Sequence, residues 1–269
     1  MNNTFNINRF GLLLKRQWLD FGKIYLISLV VVVGIVIGFY AFNIPYPTKP
    51  NNFDYDGNLD MRFRYPLFLM LGFLFISIVA SSYFSLLGQK SRAILELMTP
   101  ASVFEKFLGG IFYTTILSFL SYLILFYITD LAFVKYINSH LTEFEIDRNG
   151  KSTISTVESI ASQIFNDAGY RVSIRTFYAI PFLTASIFLL GSVYFNRFHY
   201  IKTAVSVMLF VSVGVYIITK FSELITRGML SNNRVNDKEN FLFTFLLLTI
   251  ALSLIVWVIT YVRLKEKEV

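Results

Sequence analysis

Six stretches without a single Asp, Glu, Lys or Arg, at 24–43, 65–88, 107–129, 176–195, 203–219 and 240–262, decide what this chain can become. A helix needs about 20 residues to cross the hydrocarbon core of a bilayer, so five of the runs span it and 203–219 sits at the short limit. In lipid every backbone N–H and C=O must be satisfied by the chain itself, which leaves helices or a closed barrel. Runs this long and without alternation exclude the barrel. The expected fold class is therefore all-α and polytopic, with six transmembrane helices. Composition agrees, since 55% hydrophobic residues with 29 Phe exceed what a soluble core of 269 residues would bury. The first run is longer than a signal-peptide apolar region and no small-residue cleavage pattern follows it, so it is expected as a retained helix.

Six crossings place both termini on one side, and charge says which. That side, residues 1–23, 89–106, 196–202 and 263–269, carries 12 Lys and Arg against 5 acidic residues, which is the whole excess of +7. The short connections opposite carry 7 basic residues, and the long 130–175 loop is discounted because long loops translocate regardless of charge. Both termini are expected in the cytoplasm. The basic excess then serves anchoring against an anionic inner leaflet, with no nucleic-acid partner. The chain divides into an N-terminal segment (1–23), spans one to three with a charged insert (24–129, insert 89–106), an extracytoplasmic loop (130–175), spans four to six (176–262) and a tail (263–269).

Within 1–23, Phe10, Leu14, Trp18 and Phe21 share one stripe at helical spacing, with Arg9, Arg16, Asp20 and Lys23 opposite. This is the pattern of an interfacial amphipathic helix. Leu12 and Leu19 fall on the charged side and leave apolar atoms for a protein partner. On the outer side, Pro45, Pro47 and Pro50 make 44–64 a surface connection. In the longer loop, Ser155 and Glu158 form a capping-box pair ahead of Val157, Ile160, Ala161, Ile164 and Ala168, and Gly169 stops the helix. Alternation at Phe144 and Ile146, and again at Tyr170, Val172 and Ile174, predicts two strands around it. A small α/β cap follows.

Other features are plain. Asp147–Gly150 lacks the acidic ligands of a calcium loop and reads as a turn. His140 and His199 lie in loops on opposite sides and cannot share a metal. Gly34 and Gly38 form a GxxxG pair that permits close helix approach. With no cysteine there is no thiolate chemistry. Spans free of ionisable groups disfavour an ion-coupled carrier, and the absence of GxxxxGK[ST], GxSxG and HExxH leaves the chain with no means of using a nucleotide or cleaving a bond. It is expected to be no enzyme, with no catalytic, cofactor-binding or metal residues.

The insert at 89–106 is then the place where such a chain can receive energy. Residues 91–98 read as a short helix with Ile94, Leu97 and Met98 on one face and Arg92 and Glu96 elsewhere. Pro100 breaks it, Thr99 to Ala101 turn, and Ser102 with Glu105 form a second capping box that opens the third span.

The stretch LELMTPASVFEKFLGG after the second of six spans resembles the corresponding segment of ABC transporter permeases of the six-helix export type, in a branch common in Bacteroidetes. That branch has Leu-Pro-Ala-Ser followed by Glu-Lys-Phe, and here Thr99 replaces the Leu. The resemblance implies a permease subunit of the bacterial inner membrane that pairs with a second permease copy, identical or paralogous. Separate cytosolic ATPase subunits would hold the ATP and Mg²⁺, leaving no cofactor in this chain. Arg92, Ile94, Leu95, Glu96, Leu97, Met98, Thr99, Pro100 and Ala101 would carry the coupling contact, with the Phe10–Phe21 stripe alongside. Arg197, Phe198, His199 and Tyr200 would form a second, smaller cytoplasmic contact. Uncharged aromatic walls suit an amphipathic or lipid-like cargo moving outward. The alternative is a non-transporting membrane sensor or scaffold whose extracytoplasmic loop binds a ligand.

Overall fold

The structure, a computed structural model, describes residues 5–44, 61, 63–85, 98–140, 157–162, 179–226 and 236–268. Six helical rods account for nearly all of them: α1 (Ile7–Phe42), α2 (Arg64–Tyr83), α3 (Val103–Ser139), α4 (Ile180–Tyr194), α5 (His199–Thr226) and α6 (Asn236–Glu268). Five of the six contain a stretch long and apolar enough to cross a membrane, which makes the chain a multi-pass membrane protein; α4 is described over 15 residues. No strand occurs among the described residues.

Three boundaries differ from the sequence expectation. The first is that α1 runs unbroken for 36 residues, about 54 Å, so the amphipathic segment and the first span are one helix rather than two. Gly22, beside Lys23, lies within the helix without breaking it and no Pro interrupts it, while Asn6 caps it by accepting from the amides of Asn8 (3.0 Å) and Arg9 (3.4 Å). Next, α3 continues to Ser139, ten residues past the apolar run, because the charge of Asp130 is neutralised within the protein. Finally, α5 extends over 28 residues, so the shortest apolar run belongs to a helix of ample length.

In lipid, helices associate by close packing and hydrogen bonds rather than by apolar burial, and the interfaces follow that rule. α4 touches α2, α3, α5 and α6. Its buried face includes Ala185, Ser186, Gly191 and Ser192, and the buried stripe of α6 includes Thr249, Ser253 and Thr260. Each hydroxyl bonds a carbonyl three or four residues back, as in Ser192 to Leu189 (2.7 Å) and Thr260 to Val256 (2.8 Å), so small residues pack without orphan donors. At Gly191 a Cβ would fall 1.9 Å from Thr203 Oγ1 on α5. Gly34 and Gly38 behave otherwise, since among the described residues nothing lies within 4 Å of a Cβ at either, and the GxxxG pair makes no close approach there.

α1 and α3 run parallel. Tyr113 Oη donates to the Leu14 carbonyl (2.8 Å), Tyr25 Oη to that of Leu117 (3.2 Å), and Tyr40 Oη to Asp130 Oδ1 (3.0 Å). Aromatics, buried except for the half-buried Phe68, pack these two helices with α2: Phe75 and Tyr122, Phe68 and Phe126, Tyr40 stacked on Phe133 at 4.5 Å. Midway, Phe112–Leu117 is a π-helical turn, where the Ser118 hydroxyl reaches the Tyr113 carbonyl five residues back (2.8 Å).

Candidate functional site

Two polar clusters tie the bundle together, one at each end. At the first end, the chain leaves the insert through Met98 to Ala101. Pro100 cannot donate a backbone hydrogen bond, and the Ala101 amide instead closes onto the Thr99 carbonyl (2.8 Å) in a tight turn. The turn places Thr99 and Ala101 inward, with Pro100 exposed and Met98 75% exposed. Ser102 then caps α3 by accepting from the Glu105 amide (3.2 Å), and Glu105 returns to the Ser102 amide (2.9 Å), the expected capping box.

Glu105 does more than cap its own helix. It is 0% exposed, and its carboxylate also accepts from the Asn6 amide (2.9 Å) and from Arg9 Nη2 (2.7 Å) and Nε (2.8 Å). The parallel pair brings two helix N-termini, each with a partial positive charge, to one anion. Burial alone pushes the Glu105 carboxyl up, but the Arg9 guanidinium and the Asn6 and Ser102 amides outweigh it and hold it at about 2. Arg16 Nη1 donates to Thr99 Oγ1, a second tie between α1 and the turn.

The depressed carboxyl has a pH signature. A group whose folded value is lowered stabilises fully above its unfolded value of about 4.5, and that stability is lost as the pH falls towards about 2. Glu105→Gln is expected to lower the melting temperature in detergent at neutral pH, and the gap from wild type should close across that acid window. A gap independent of pH would show that the charge is not what joins α1 to α3.

The stripe Phe10, Leu14, Trp18 and Phe21 packs largely on the protein's own helices. Trp18 stacks on Tyr113 (6.2 Å), Phe21 meets Tyr83 edge-on (5.5 Å), Leu14 joins the cluster around Tyr83 and Phe107, and Phe10 tilts against Phe5 (5.7 Å). Gln17 on the same side accepts from Tyr83 Oη. Amphipathicity in a sequence does not tell a lipid surface from a neighbouring helix.

Arg92, Ile94, Leu95, Glu96 and Leu97 lie outside the described residues. The α4–α5 turn lies at the same end, since Arg263 of α6 covers the Tyr194 ring (5.4 Å) while Tyr261, two residues earlier, meets Phe104 and Phe107. In it, Arg197 is exposed, Phe198 is 71% exposed, His199 Nδ1 contacts the Phe195 carbonyl, and Tyr200 stacks on Phe188 (5.2 Å). Phe198 has φ 55°, the only positive φ outside glycine among the described residues, a conformation that costs a bulky side chain on the order of 1–3 kcal/mol.

The second cluster was not among the residues that the sequence pattern marks. Arg64 and Asp130, both 1% exposed, pair at 3.1 Å. Tyr40 donates to the same carboxylate oxygen (3.0 Å) and the Ile160 amide to the other (2.8 Å). Arg64 Nη1 and Nη2 both donate to the Glu158 carbonyl (3.1 Å each). Asn138 clasps Val157 in both directions, donating to its carbonyl and accepting from its amide at 3.0 Å. Side chains from α2 and α3 thus hold 157–162, and Tyr40 of α1 supports Asp130 behind them.

The expected α/β cap finds no support among the described residues. Its strands at 144–147 and 170–175, and Ser155 of its capping box, lie outside the described residues, and no strand occurs among the described ones. What fixes 157–162 is side-chain clasping of single amides and carbonyls rather than sheet pairing. The one signal for this cluster was positional: Arg64 and Asp130 are charges that directly flank the second and third apolar runs. No protein-family model, curated protein or solved structure matches the chain.

Proposed function

We propose that this chain is the membrane-spanning permease subunit of an ABC transporter of the six-helix export type. Separate cytosolic ATPase subunits drive it, it works with a second permease copy in a bacterial inner membrane, and it exports an amphipathic or lipid-like cargo. The Glu105 end, with both termini, faces the cytoplasm. The observation that carries this reading is the junction at Glu105. A turn that exposes Met98 and Pro100 is bonded to α3 through Ser102 and to α1 through Thr99–Arg16 and Glu105–Arg9. A push on the turn therefore enters two long helices at once. Their ties at Leu14–Tyr113, Tyr25–Leu117 and Tyr40–Asp130 carry it across the bundle as a rigid-body displacement.

The tagged chain, extracted gently from its native membrane, is expected to retain a cytosolic protein that hydrolyses ATP, and the pair reconstituted in liposomes should show ATP-dependent movement of lipid-like cargo. Loss of the Thr99 tie in Arg16→Glu should leave insertion intact and lower ATP-coupled transport about tenfold or more. Absence of any ATP-hydrolysing partner from the wild-type preparation would end this reading. A sensor is the second reading, favoured by the clasped 157–162 segment. It requires a ligand that protects this segment from protease in the absence of any ATPase.

A further inference from the structure

Every hydrogen bond that α2 and α3 make to 157–162 goes to its main chain. Asn138 accepts from the Val157 amide and donates to its carbonyl, Arg64 donates twice to the Glu158 carbonyl, and Asp130 accepts from the Ile160 amide. The polar side chains of the segment, Glu158, Ser159 and Ser162, bond within the segment itself. What else it gives the helices is apolar. Ile160 is 4% exposed in the buried cluster that includes Tyr40 and Phe133, and Val157 packs against the same cluster. Contacts of this kind recognise a peptide backbone with apolar side chains three positions apart and ignore the residues between.

A loop that only has to stay attached does not need such a site. Burying a charged pair costs desolvation, and well-packed apolar side chains hold a segment as well or better. Ionisable groups buried at the ends of apolar spans are retained for function. The pair is also matched without the segment, since Arg64 Nη1 keeps Asp130 Oδ1 (3.1 Å), Arg64 Nε keeps the Met61 carbonyl (3.3 Å) and Tyr40 keeps the carboxylate (3.0 Å). No unpaired charge remains when the segment leaves, which is what reversible occupancy requires. We infer that Arg64 of α2 with Asp130 and Asn138 of α3 forms a peptide-binding site, and that 157–162 is its tethered occupant. An extracytoplasmic peptide that offers the same main-chain path, with apolar residues at the places of Val157 and Ile160, takes the segment's place. The helices are the receptor and the loop is the stand-in for the ligand. Only the outward placement of this end rests on the proposed function; the binding itself needs no ATPase.

The test uses Ile160→Pro, which deletes the amide that Asp130 accepts and leaves Arg64, Asp130 and Asn138 in place. Residue 160 begins a helical turn, a position where proline is tolerated. In the full-length protein in detergent this variant is expected to be cleaved at 157–162 about tenfold faster or more, while the bundle still melts cooperatively. A synthetic peptide of residues 156–163, TVESIASQ, blocked at both ends and carrying a photo-crosslinker, should then label α2 or α3 near Arg64 and Asp130. Labelling is expected to be about tenfold or more above that of wild type, where the tethered copy competes at high effective concentration. The same peptide N-methylated at its isoleucine should lose this labelling, and so should Ile160→Pro with Asn138→Ala added. No labelling, equal labelling of wild type and variant, or labelling indifferent to the N-methyl group would make 157–162 a packed loop and overturn the inference. Continued protection of 157–162 in Ile160→Pro would overturn it too, because main-chain bonds would then not be what holds the segment. ATPase retention by the wild-type chain is read separately, so failure of this site leaves the proposed function standing and the reverse also holds.

Discussion

Asp130→Ala is expected to destabilise this protein by about 3–5 kcal/mol, because it leaves a buried guanidinium without its counter-charge. Arg64 is 1% exposed, and once the carboxylate is gone it is left with neutral acceptors such as the carbonyls of Met61 (3.3 Å) and Glu158. The Tyr40 hydroxyl and the Ile160 amide lose their acceptor in the same step. Removing both charges together, as Arg64→Met with Asp130→Leu, should cost less than Asp130→Ala alone, since no unpaired charge remains. Thermal unfolding in detergent gives the comparison. Limited proteolysis adds a local readout, because cleavage at 157–162 should rise in both variants as the segment loses its clasps. Wild-type melting of Asp130→Ala would show that the pair is not what holds this end together.

The second large effect is steric. Gly191→Ala places a methyl 1.9 Å from Thr203 Oγ1, 2.8 Å from its Cγ2 and 2.9 Å from its Cβ. Rotating the threonine moves the first two atoms but not the Cβ, so α4 and α5 must separate. Overpacking of this kind costs about 1–3 kcal/mol, and this site belongs at the upper end. Because α4 also contacts α2, α3 and α6, the shift cannot stay local. Thr203→Gly in the same chain removes all three contacts and is expected to recover most of the lost melting temperature. A double variant no more stable than Gly191→Ala alone would place the damage elsewhere.

Features encoded within a few consecutive residues are legible in the amino-acid sequence. The Ser102–Glu105 capping box lies three residues apart and forms as read, and the tight turn from Thr99 to Ala101 lies where Pro100 lacks an N–H. The apolar runs mark six helices because each satisfies its backbone internally, whatever its neighbours do. The boundary near residue 23 failed for a related reason: a change from amphipathic to uniformly apolar composition alters what surrounds a helix without ending it. The 130 boundary failed because a charge ends an apolar run but does not end a helix when Arg64 and Tyr40 neutralise it.

Sequence alone determined the class, a multi-pass helical membrane protein, and the local geometry of the turn at Thr99. Tertiary structure decided the partners across the bundle. Glu105 with Arg9 spans 96 positions and Arg64 with Asp130 spans 66, and nothing in the linear order matches one to the other. The stripe of Phe10, Leu14, Trp18 and Phe21 met helices rather than lipid alone, and Gly191 rather than Gly34 and Gly38 became a close approach within the chain. The physical reason is the solvent: in a bilayer the surroundings are as apolar as the protein interior, so hydropathy marks which residues are in the membrane but not which face a neighbour.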